Sequence, residues 1–197
     1  PSDNPHEAGG NIDFCTYTSE PSENDALPVN CLSWTKAAEY CAFVGKTLPT
    51  EAQLELLMSR RGAFPYVWGV DAPTCPECGS LMVVNGSDFG FGGAVAGSGA
   101  RDRLPAAGRE VVDLIGNVKE WAADRWNREL EPCWGYGVFY DPQCELDSPS
   151  DGKARSIRGG DWTADALDAR AAVRHRLHNE EQAVSATVGF RCARPDG

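Results

Sequence analysis

The chain has 197 residues, of which 42% are hydrophobic and 24% charged, and it carries a formal net charge of −11 at pH 7. This length is typical of one domain that buries well over half of the surface of its unfolded chain. The negative charge argues against nucleic acid or an anionic membrane as the main partner, because both are themselves negatively charged. No apolar stretch approaches the length of a membrane-spanning helix or has the form of a signal sequence, so no membrane span is expected.

The chain contains eight cysteines, which allow on the order of a hundred pairings, so spacing alone fixes none of them. An even number with close pairs is more typical of disulfides than of reduced thiols. The close pairs are Cys15/Cys31, Cys75/Cys78 and Cys133/Cys144. We therefore expect an extracellular, periplasmic or cell-surface location, with a protein or another extracellular ligand as partner. Because the sequence begins with Pro1 rather than Met, we also expect a processed or truncated chain.

The N-terminal residues differ in composition from the rest of the chain. Residues 1–27 are polar, rich in Ser, Asn, Pro and Glu, and show little periodicity. They predict an irregular lead-in that a Cys15–Cys31 bridge would hold, followed by a domain of residues 28–197.

Two amphipathic helices are predicted at the start of the domain. The first begins after Ser33, a good N-cap, and ends at Gly45, a good stop signal. The second begins after Thr50, where Gln53 completes a capping box, and ends before Gly62. Their apolar positions recur with helical spacing and are Trp34, Ala37, Ala38, Cys41 and Val44 in the first helix, and Leu54, Leu57 and Met58 in the second.

The aromatic run Tyr66–Gly69 predicts a short strand, and residues 70–108 predict mainly loop. The CxxC motif Cys75–Cys78 in this loop has three interpretations: half of a zinc site, a redox pair or a local bridge. Zinc requires a second pair of ligands at close spacing, whereas ten residues separate Cys133 from Cys144. A thioredoxin-type redox pair opens a helix after a strand, and this context is absent from the sequence. We favour a structural disulfide, with zinc and redox chemistry as the alternatives.

A second landmark is the apolar, strand-like run Val111–Ile115, which bends at Gly116–Asn117. Two carboxylates, Asp113 and Glu120, flank the bend. Calcium is bound by carboxylate and backbone carbonyl oxygens of sharply turning loops, so the bend is a candidate cation site. The alternative is a surface turn with two solvated acids, and spacing alone favours this alternative.

The closing forty residues form the third landmark. They open on the glycine pair Gly159–Gly160, where the backbone can adopt a positive φ or approach another segment closely. They end with a strand in which Val188, Phe190 and Cys192 alternate on one face. The segment between is rich in arginine and contains no cysteine.

Two histidines in this segment, His175 and His178, are followed by Glu180 and Glu181. A surface metal site is conceivable there. Two histidines with mobile acids and no third fixed ligand are more often a solvated polar face, and this is the interpretation we favour.

Taken in order, these landmarks resemble the formylglycine-generating enzyme (sulfatase-modifying factor) family. The resemblance covers residues 28–194 and is highly specific as an ordered set. The matching segments are Pro28–Trp34, Ala38–Cys41, Gly45–Ala52, Trp68–Gly69, Asp113–Trp121, Arg158–Trp162 and Gly189–Ala193. The resemblance implies a loop-rich α+β fold, an irregular variant of the C-type lectin fold with two short helices and short antiparallel strands.

The resemblance also implies two stabilising features. A structural calcium ion would be bound by the side chains of Asp113 and Glu120 and by the carbonyl oxygens of Gly116 and Val118. A disulfide would join Cys41 to Cys192 and close a very long loop, which stabilises by constraining the unfolded chain.

The sequence departs from the family where the oxidase chemistry resides. Active members hold copper between two cysteine thiolates that follow the glycine pair, whereas here no cysteine lies between Cys144 and Cys192. Because Cu(I) prefers thiolate ligands, no copper is expected. Asp161 stands where the family has serine, and the stretch from Gly160 to Arg170 fits the shorter loop of relatives that are not oxidases.

We therefore predict a non-catalytic, calcium-stabilised and disulfide-bonded extracellular scaffold or recognition domain. Its binding cleft would lie where active members have the oxidase site. The candidate cleft residues, for which packing and salt bridges are an equal alternative, are Trp162, Asp165, Arg170 and Arg174. The alternative functions are a metal-dependent oxidoreductase that converts a sulfatase cysteine to formylglycine, a relative that uses other metal ligands, and one part of a larger assembly.

Overall fold

The computed structural model describes residues 14–73, 93–99, 101–106, 108–164, 166–178, 180–181 and 184–194. Both predicted helices are present, as α1 (Trp34–Phe43) and α2 (Glu51–Met58). The Ser33 side chain caps α1, and Gly45, just beyond its C-cap, has a φ of +71°. Both hydrogen bonds of the capping box between Thr50 and Gln53 are formed at the start of α2. Local capping chemistry therefore sets where these helices begin and end.

Six short strands form two sheets. They are β1 (Arg103–Ala106), β2 (Arg109–Val112), β3 (Lys119–Arg125), β4 (Arg155–Arg158), β5 (His175–Leu177) and β6 (Val188–Gly189). Strands β1 and β2 pair alone, and the larger sheet has the order β5-β4-β3-β6. The prediction of an α+β, loop-rich fold is confirmed. One pairing differs from the antiparallel expectation, because β3 and β6 run parallel; β4, β5 and the residues between supply the long connection that a parallel pair requires.

Strand β3 lies between two hydrophobic clusters. Trp121 faces the cluster beneath α1, and its Nε1 donates to the carbonyl oxygen of Leu32 at 3.0 Å. The next residue, Ala122, faces the cluster beneath α2, together with Leu54 and Met58. Because successive side chains of a strand point to opposite faces, β3 is buried on both.

Two local predictions are corrected by the structure. Tyr66–Gly69 forms a tight turn rather than a strand, because Tyr66 and Gly69 exchange both backbone hydrogen bonds. The rings of Tyr66 and Trp68 stack at 5.2 Å between centroids. Val44, predicted on the buried face of the first helix, is exposed because it is the C-cap beyond the last helical turn.

Three disulfides join Cys15 to Cys31, Cys41 to Cys192 and Cys133 to Cys144. The Cys41–Cys192 bridge is the pairing that the family resemblance implied, and the other two join close pairs whose partners the sequence left open. Cys75 and Cys78 lie outside the described residues. Within the described residues, every cysteine is disulfide-bonded. The first bridge and the side chain of Asn30, which bonds Thr16 and the carbonyl of Phe14, hold residues 14–31 together, and Asn30 Nδ2 also donates to the carbonyl of Ala186 and so attaches them to the domain. Within the described ranges, no helix has both the length and the apolar character needed to cross a membrane.

Candidate functional site

The glycine pair of the closing segment allows three backbone segments to approach closely. A Cβ atom on Gly159, whose φ is +80°, would lie 3.1 Å from the carbonyl oxygen of Leu114. A Cβ atom on Gly160 would lie 3.2 Å from the Cβ of Ala164 and 3.3 Å from the Cα of Ala169. Only glycine fits both positions without a shift of the neighbouring backbone. Small side chains thus fill the space that follows the pair.

A polar cluster lies beside the pair, and we call it the Lys119 cluster (Lys119, Asp161, Asp168 and His175). The Lys119 ammonium donates to Asp161 Oδ2 at 2.5 Å and lies 3.9 Å from Asp168 Oδ2. The Nε2 atom of His175 lies 3.3 Å from Asp168 Oδ1. The other Asp161 oxygen accepts the backbone N–H and the hydroxyl of Thr163 at 2.7 and 2.5 Å. Asp161, noted from the sequence only as a departure from serine, is therefore the centre of an ion-paired network.

Burial shapes the charges of this cluster. The side chains of Lys119 and Asp161 are only 12% and 2% exposed. Burial acts to raise the pKa of Asp161, but the hydrogen bonds from Lys119 and Thr163 outweigh it, and the pKa lies below its ordinary value. Burial and the neighbouring Lys119 charge lower the pKa of His175. At neutral pH the cluster holds an ionised Asp161 and a neutral imidazole, a set that can bind a polar group.

The predicted cleft residues have different surroundings. Trp162 is buried, and its ring lies 5.6 Å from the ring of Phe14 between centroids. Arg170 is exposed, and its Nε donates to the carbonyl oxygen of Leu167 at 3.0 Å. Asp165 lies outside the described residues.

Arg174 belongs to a buried ion-pair network at the start of α2. Its Nε and Nη2 donate to the two carboxylate oxygens of Glu51 at 2.6 and 2.8 Å, and its guanidinium lies 4.5 Å from the ring centroid of Trp126. Glu51 also accepts from Arg158 at 3.3 Å and from Ser156 at 2.9 Å. The guanidinium of Arg174 is thus committed to packing and ion pairing.

The bend between β2 and β3 carries the residues proposed to bind calcium. Asp113, Gly116 and Asn117 have φ values of +53°, +93° and +62°, so the chain turns sharply here. Gly116 and Val118 are buried, yet neither carbonyl oxygen accepts a hydrogen bond from the described residues. Buried carbonyls normally have a partner, and a cation would supply one. One carboxylate oxygen of Asp113 accepts the N–H of Gly97 at 2.6 Å, and the other accepts no hydrogen bond from the described residues.

Arg191 lies against the same bend. Its Nε and Nη2 donate to the two oxygens of Glu120 at 2.6 and 2.5 Å, and Nη2 also donates to the carbonyl oxygen of Asp113 at 2.7 Å. Each carboxylate oxygen has two lone pairs, so Glu120 can accept from the guanidinium and still offer an electron pair to a cation. No three His, Cys, Asp or Glu side chains are grouped as a metal site in the described part of the chain. A cation at the bend would therefore depend on the carbonyls of Gly116 and Val118.

The two histidines of the closing segment do not share a site with the acids that follow them. His178 is exposed, whereas His175 belongs to the Lys119 cluster. Glu180 accepts from Arg125 at 2.8 Å and from Arg155 at 2.5 Å. Glu180 thus pairs with arginines of the sheet rather than with either histidine, whereas a solvated polar face was expected from the sequence.

Sequence reasoning missed several residues that this region depends on. Lys119 did carry a signal, because a lone cation inside a buried apolar run needs a carboxylate. Asp102 and Asp124 carried none, and burial raises their pKa values to about 7 and about 6. Asp124 accepts the backbone N–H groups of Glu51 and Cys144 at 2.6 and 2.7 Å, and so joins β3 to α2 and to the third disulfide.

Comparison with known proteins identifies the family. A family model described as "Sulfatase-modifying factor enzyme 1-like domain" matches residues 6–195. The chain belongs to this family. Among its relatives, the serine/threonine-protein kinase pkn1 of Chlamydia pneumoniae is 34% identical over 170 residues, the formylglycine-generating enzyme of Thermomonospora curvata is 30% identical over 176 residues, and the inactive C-alpha-formylglycine-generating enzyme 2 of Bos taurus is 31% identical over 184 residues.

The family relationship covers most of this chain but only part of each relative. The matches span 85%, 84% and 87% of this chain, and 24%, 55% and 52% of those three relatives. Among solved structures, PvdO of Pseudomonas aeruginosa matches 88% of this chain and 62% of its own, with a TM-score of 0.63 and 23% identity. This structural likeness supports the fold.

Proposed function

We propose that this chain is a non-catalytic scaffold or recognition domain of the family, built on a C-type-lectin-like core. One observation carries the proposal. In active members the copper thiolates follow the glycine pair, whereas here the residues packed against Gly160 in that segment are Ala164 and Ala169. Alanine has no group that can bind Cu(I) or transfer electrons.

The charges beside this segment support the same conclusion. The backbone N–H of Ala164 donates to the carbonyl oxygen of Asp161, whose carboxylate holds Lys119. A protonated ammonium has no lone pair, so Lys119 cannot act as a metal ligand in this region. The relatives of this chain include a protein named as an inactive formylglycine-generating enzyme, so lack of activity has precedent in the family.

An assay of oxidase chemistry tests the proposal. We expect the disulfide-bonded protein to produce no formylglycine from a sulfatase peptide in the presence of copper and O₂, under conditions in which the Thermomonospora curvata enzyme does. Peptide mass spectrometry would measure the product. Production of formylglycine by this chain would overturn the proposal.

A copper titration provides the second measurement. Cys75 and Cys78 could bind Cu(I) if they are reduced, so the matched control is the Cys75→Ser/Cys78→Ser variant. We expect any tight Cu(I) binding of the disulfide-bonded protein to disappear in this variant, because Cys192, the one cysteine of the closing segment, is bonded to Cys41 and offers no thiolate. Tight binding that survives the double substitution would contradict the proposal.

We also propose that calcium stabilises the bend between β2 and β3. The ligands would be the side chains of Asp113 and Glu120 and the carbonyl oxygens of Gly116 and Val118, which match the hard oxygen donors that calcium prefers. The ion would neutralise carboxylate charge on a chain with a net charge of −11 and would satisfy two buried carbonyls.

Thermal unfolding with and without calcium tests this site. We expect calcium to raise the Tm, because a ligand that binds only the folded state stabilises it. Asp113→Asn keeps an oxygen acceptor for Gly97 but removes a charge, and it should raise the calcium concentration needed for half of the effect by about tenfold. The control is Glu39→Gln on the exposed face of α1. A Tm that does not respond to calcium, or an equal response in both variants, would rule out the site.

The location follows from the disulfides. We propose an oxidising compartment, extracellular or periplasmic, because the three described disulfides need one to persist. The recognition surface would include the exposed Leu167 and Arg170, which follow the glycine pair on a loop held by the rigid core.

A further inference from the structure

The segment between β3 and β4 concentrates exposed apolar side chains. Six of the sixteen large hydrophobic residues that are exposed in the described part of the chain lie in residues 129–147, which we call the aromatic loop. They are Leu130, Tyr136, Val138, Phe139, Tyr140 and Leu146. Tyr136 and Tyr140 are 94% and 93% exposed. Apolar side chains scattered singly need no explanation, but such a concentration indicates an interaction site.

The base of the aromatic loop is held by covalent and polar contacts. The Cys133–Cys144 disulfide closes it, and the buried Cys144 donates its backbone N–H to Asp124 at 2.7 Å. Gln53 of α2 donates to the carboxylate of Asp141 at 2.9 Å. These contacts fix both ends of the loop to the sheet and to α2.

Trp134 anchors the other side of the base. The guanidinium of Arg174 lies 5.6 Å from its ring centroid, and the same guanidinium is fixed by Glu51. The backbone N–H of Trp134 donates to the carbonyl of Glu131 at 2.9 Å, and the carboxylate of Glu131 accepts the hydroxyl groups of Ser148 and Ser150. The loop is therefore fixed at its base and exposed at its tip.

This combination suits recognition. A tip whose base is already ordered loses less conformational entropy on binding than a free loop does. Between the two cysteines, residues Trp134–Tyr140 are aromatic residues interspersed with glycine. Binding loops of antibodies have a similar composition. Tyrosine and tryptophan supply large contact area with few rotatable bonds.

The charges around the tip indicate the chemistry of the partner. No Lys or Arg occurs from Glu129 to Gly152, a stretch that contains six acids, of which Asp147 and Asp151 form ion pairs with arginines elsewhere in the chain. The six acids are Glu129, Glu131, Asp141, Glu145, Asp147 and Asp151. Aromatic faces attract guanidinium and ammonium groups, and nearby carboxylates add Coulomb attraction. The same charges repel nucleic acid and anionic lipid.

We propose that the aromatic loop docks onto a cationic protein surface that presents arginine and lysine side chains. The inference rests on the proposed role as a recognition domain, but it uses a surface formed by the β3–β4 connection rather than by the closing segment. Arginine would stack on Tyr136 and Tyr140 and pair with the acids of the loop. Affinity would fall with rising salt concentration, because exposed ion pairs are screened.

Fluorescence anisotropy with a labelled peptide that alternates arginine and serine tests this chemistry. The matched probe replaces every arginine by citrulline, which has nearly the same shape but no charge. We expect binding of the arginine peptide at low salt, weaker binding at high salt and no binding of the citrulline peptide. Equal binding of the two peptides would overturn the proposal, because it would show that charge is not recognised.

Substitutions locate the binding surface. The variant Tyr136→Ser/Tyr140→Ser should bind the arginine peptide about tenfold more weakly. The control, Tyr17→Ser/Phe43→Ser, changes two exposed aromatic residues elsewhere on the molecule and should bind like the wild type. Both variants remove only exposed side chains, so both should fold, and circular dichroism checks this. Equal affinities of the two variants would exclude the loop as the docking site.

Two other kinds of partner on the aromatic loop would each give a distinct experimental result. A second copy of the chain on the loop would produce a dimer in sedimentation velocity that the Tyr136→Ser/Tyr140→Ser variant abolishes, and the cationic-partner proposal would then fail. Binding of neutral oligosaccharides with no effect of salt would overturn it as well. Formylglycine production in the copper assay would overturn the proposed function while leaving the peptide result unaffected, so the two failures are distinguishable.

Discussion

Replacing Glu51 by alanine is expected to lower the free energy of unfolding by about 3–5 kcal/mol, because the substitution leaves the half-buried guanidinium of Arg174 without its carboxylate and leaves the buried Arg158 with only the half-exposed Glu55. Glu51 is 3% exposed and accepts two hydrogen bonds from Arg174 and one from Arg158, whose side chain is fully buried. Burial lowers the pKa of Arg158, which reflects the poor solvation of its charge. Urea unfolding followed by tryptophan fluorescence would measure the effect.

Glu55 provides a matched control on the same helix. It pairs with the same Arg158, at 2.7 Å, but its side chain is 48% exposed. Because exposed ion pairs contribute little, Glu55→Ala should cost about 1 kcal/mol or less. If Glu51→Ala lowered the free energy of unfolding no more than Glu55→Ala does, the prediction would be wrong. The buried ion pairs of Glu51 would then contribute little to joining α2 to β4 and to the closing segment. A Glu51→Gln variant, which keeps the volume and one acceptor, should fall between the two.

The helices could be predicted from the sequence because their signals are local. Ser33 and Thr50 lie next to the turns that they cap, and the apolar spacing that follows is read within one segment. Strands β3 and β4 were not predicted, because burial on both faces removes the alternation of apolar and polar residues that marks a half-buried strand. Tertiary contacts, not local pattern, make these segments strands.

Only those parts of the candidate site that lie within the ordered family motifs could be predicted from the sequence. The resemblance named the bend at Asp113–Glu120 and the Cys41–Cys192 bridge. It did not reveal that Lys119 pairs with Asp161, forty-two residues later, nor that Glu51 binds Arg174. Such pairs join residues far apart in the chain and leave no periodic signal in either segment. Their existence follows from burial, because a buried charge persists only with a partner.

Removal of the Cys41–Cys192 disulfide is the other substitution with a large expected effect. The bridge spans 151 residues of sequence, and the loss of loop-closure entropy in the unfolded chain predicts a cost of about 5 kcal/mol for Cys41→Ala/Cys192→Ala. The matched control is Cys133→Ala/Cys144→Ala, because that bridge spans only 11 residues and should cost about 3 kcal/mol by the same relation. Urea unfolding of the oxidised proteins would give both values.

Packing must be separated from cross-linking, because both bridges include a buried cysteine: Cys41, which packs against Trp121 and Val188, and Cys144. Under reducing conditions neither the wild type nor Cys41→Ala/Cys192→Ala has the cross-link, so any difference between their unfolding midpoints reports packing alone. We expect most of the difference seen in the oxidised proteins to vanish on reduction. If it persists unchanged, the two cysteines stabilise the domain as buried apolar residues, and the closure of the long loop between Cys41 and Cys192 contributes little.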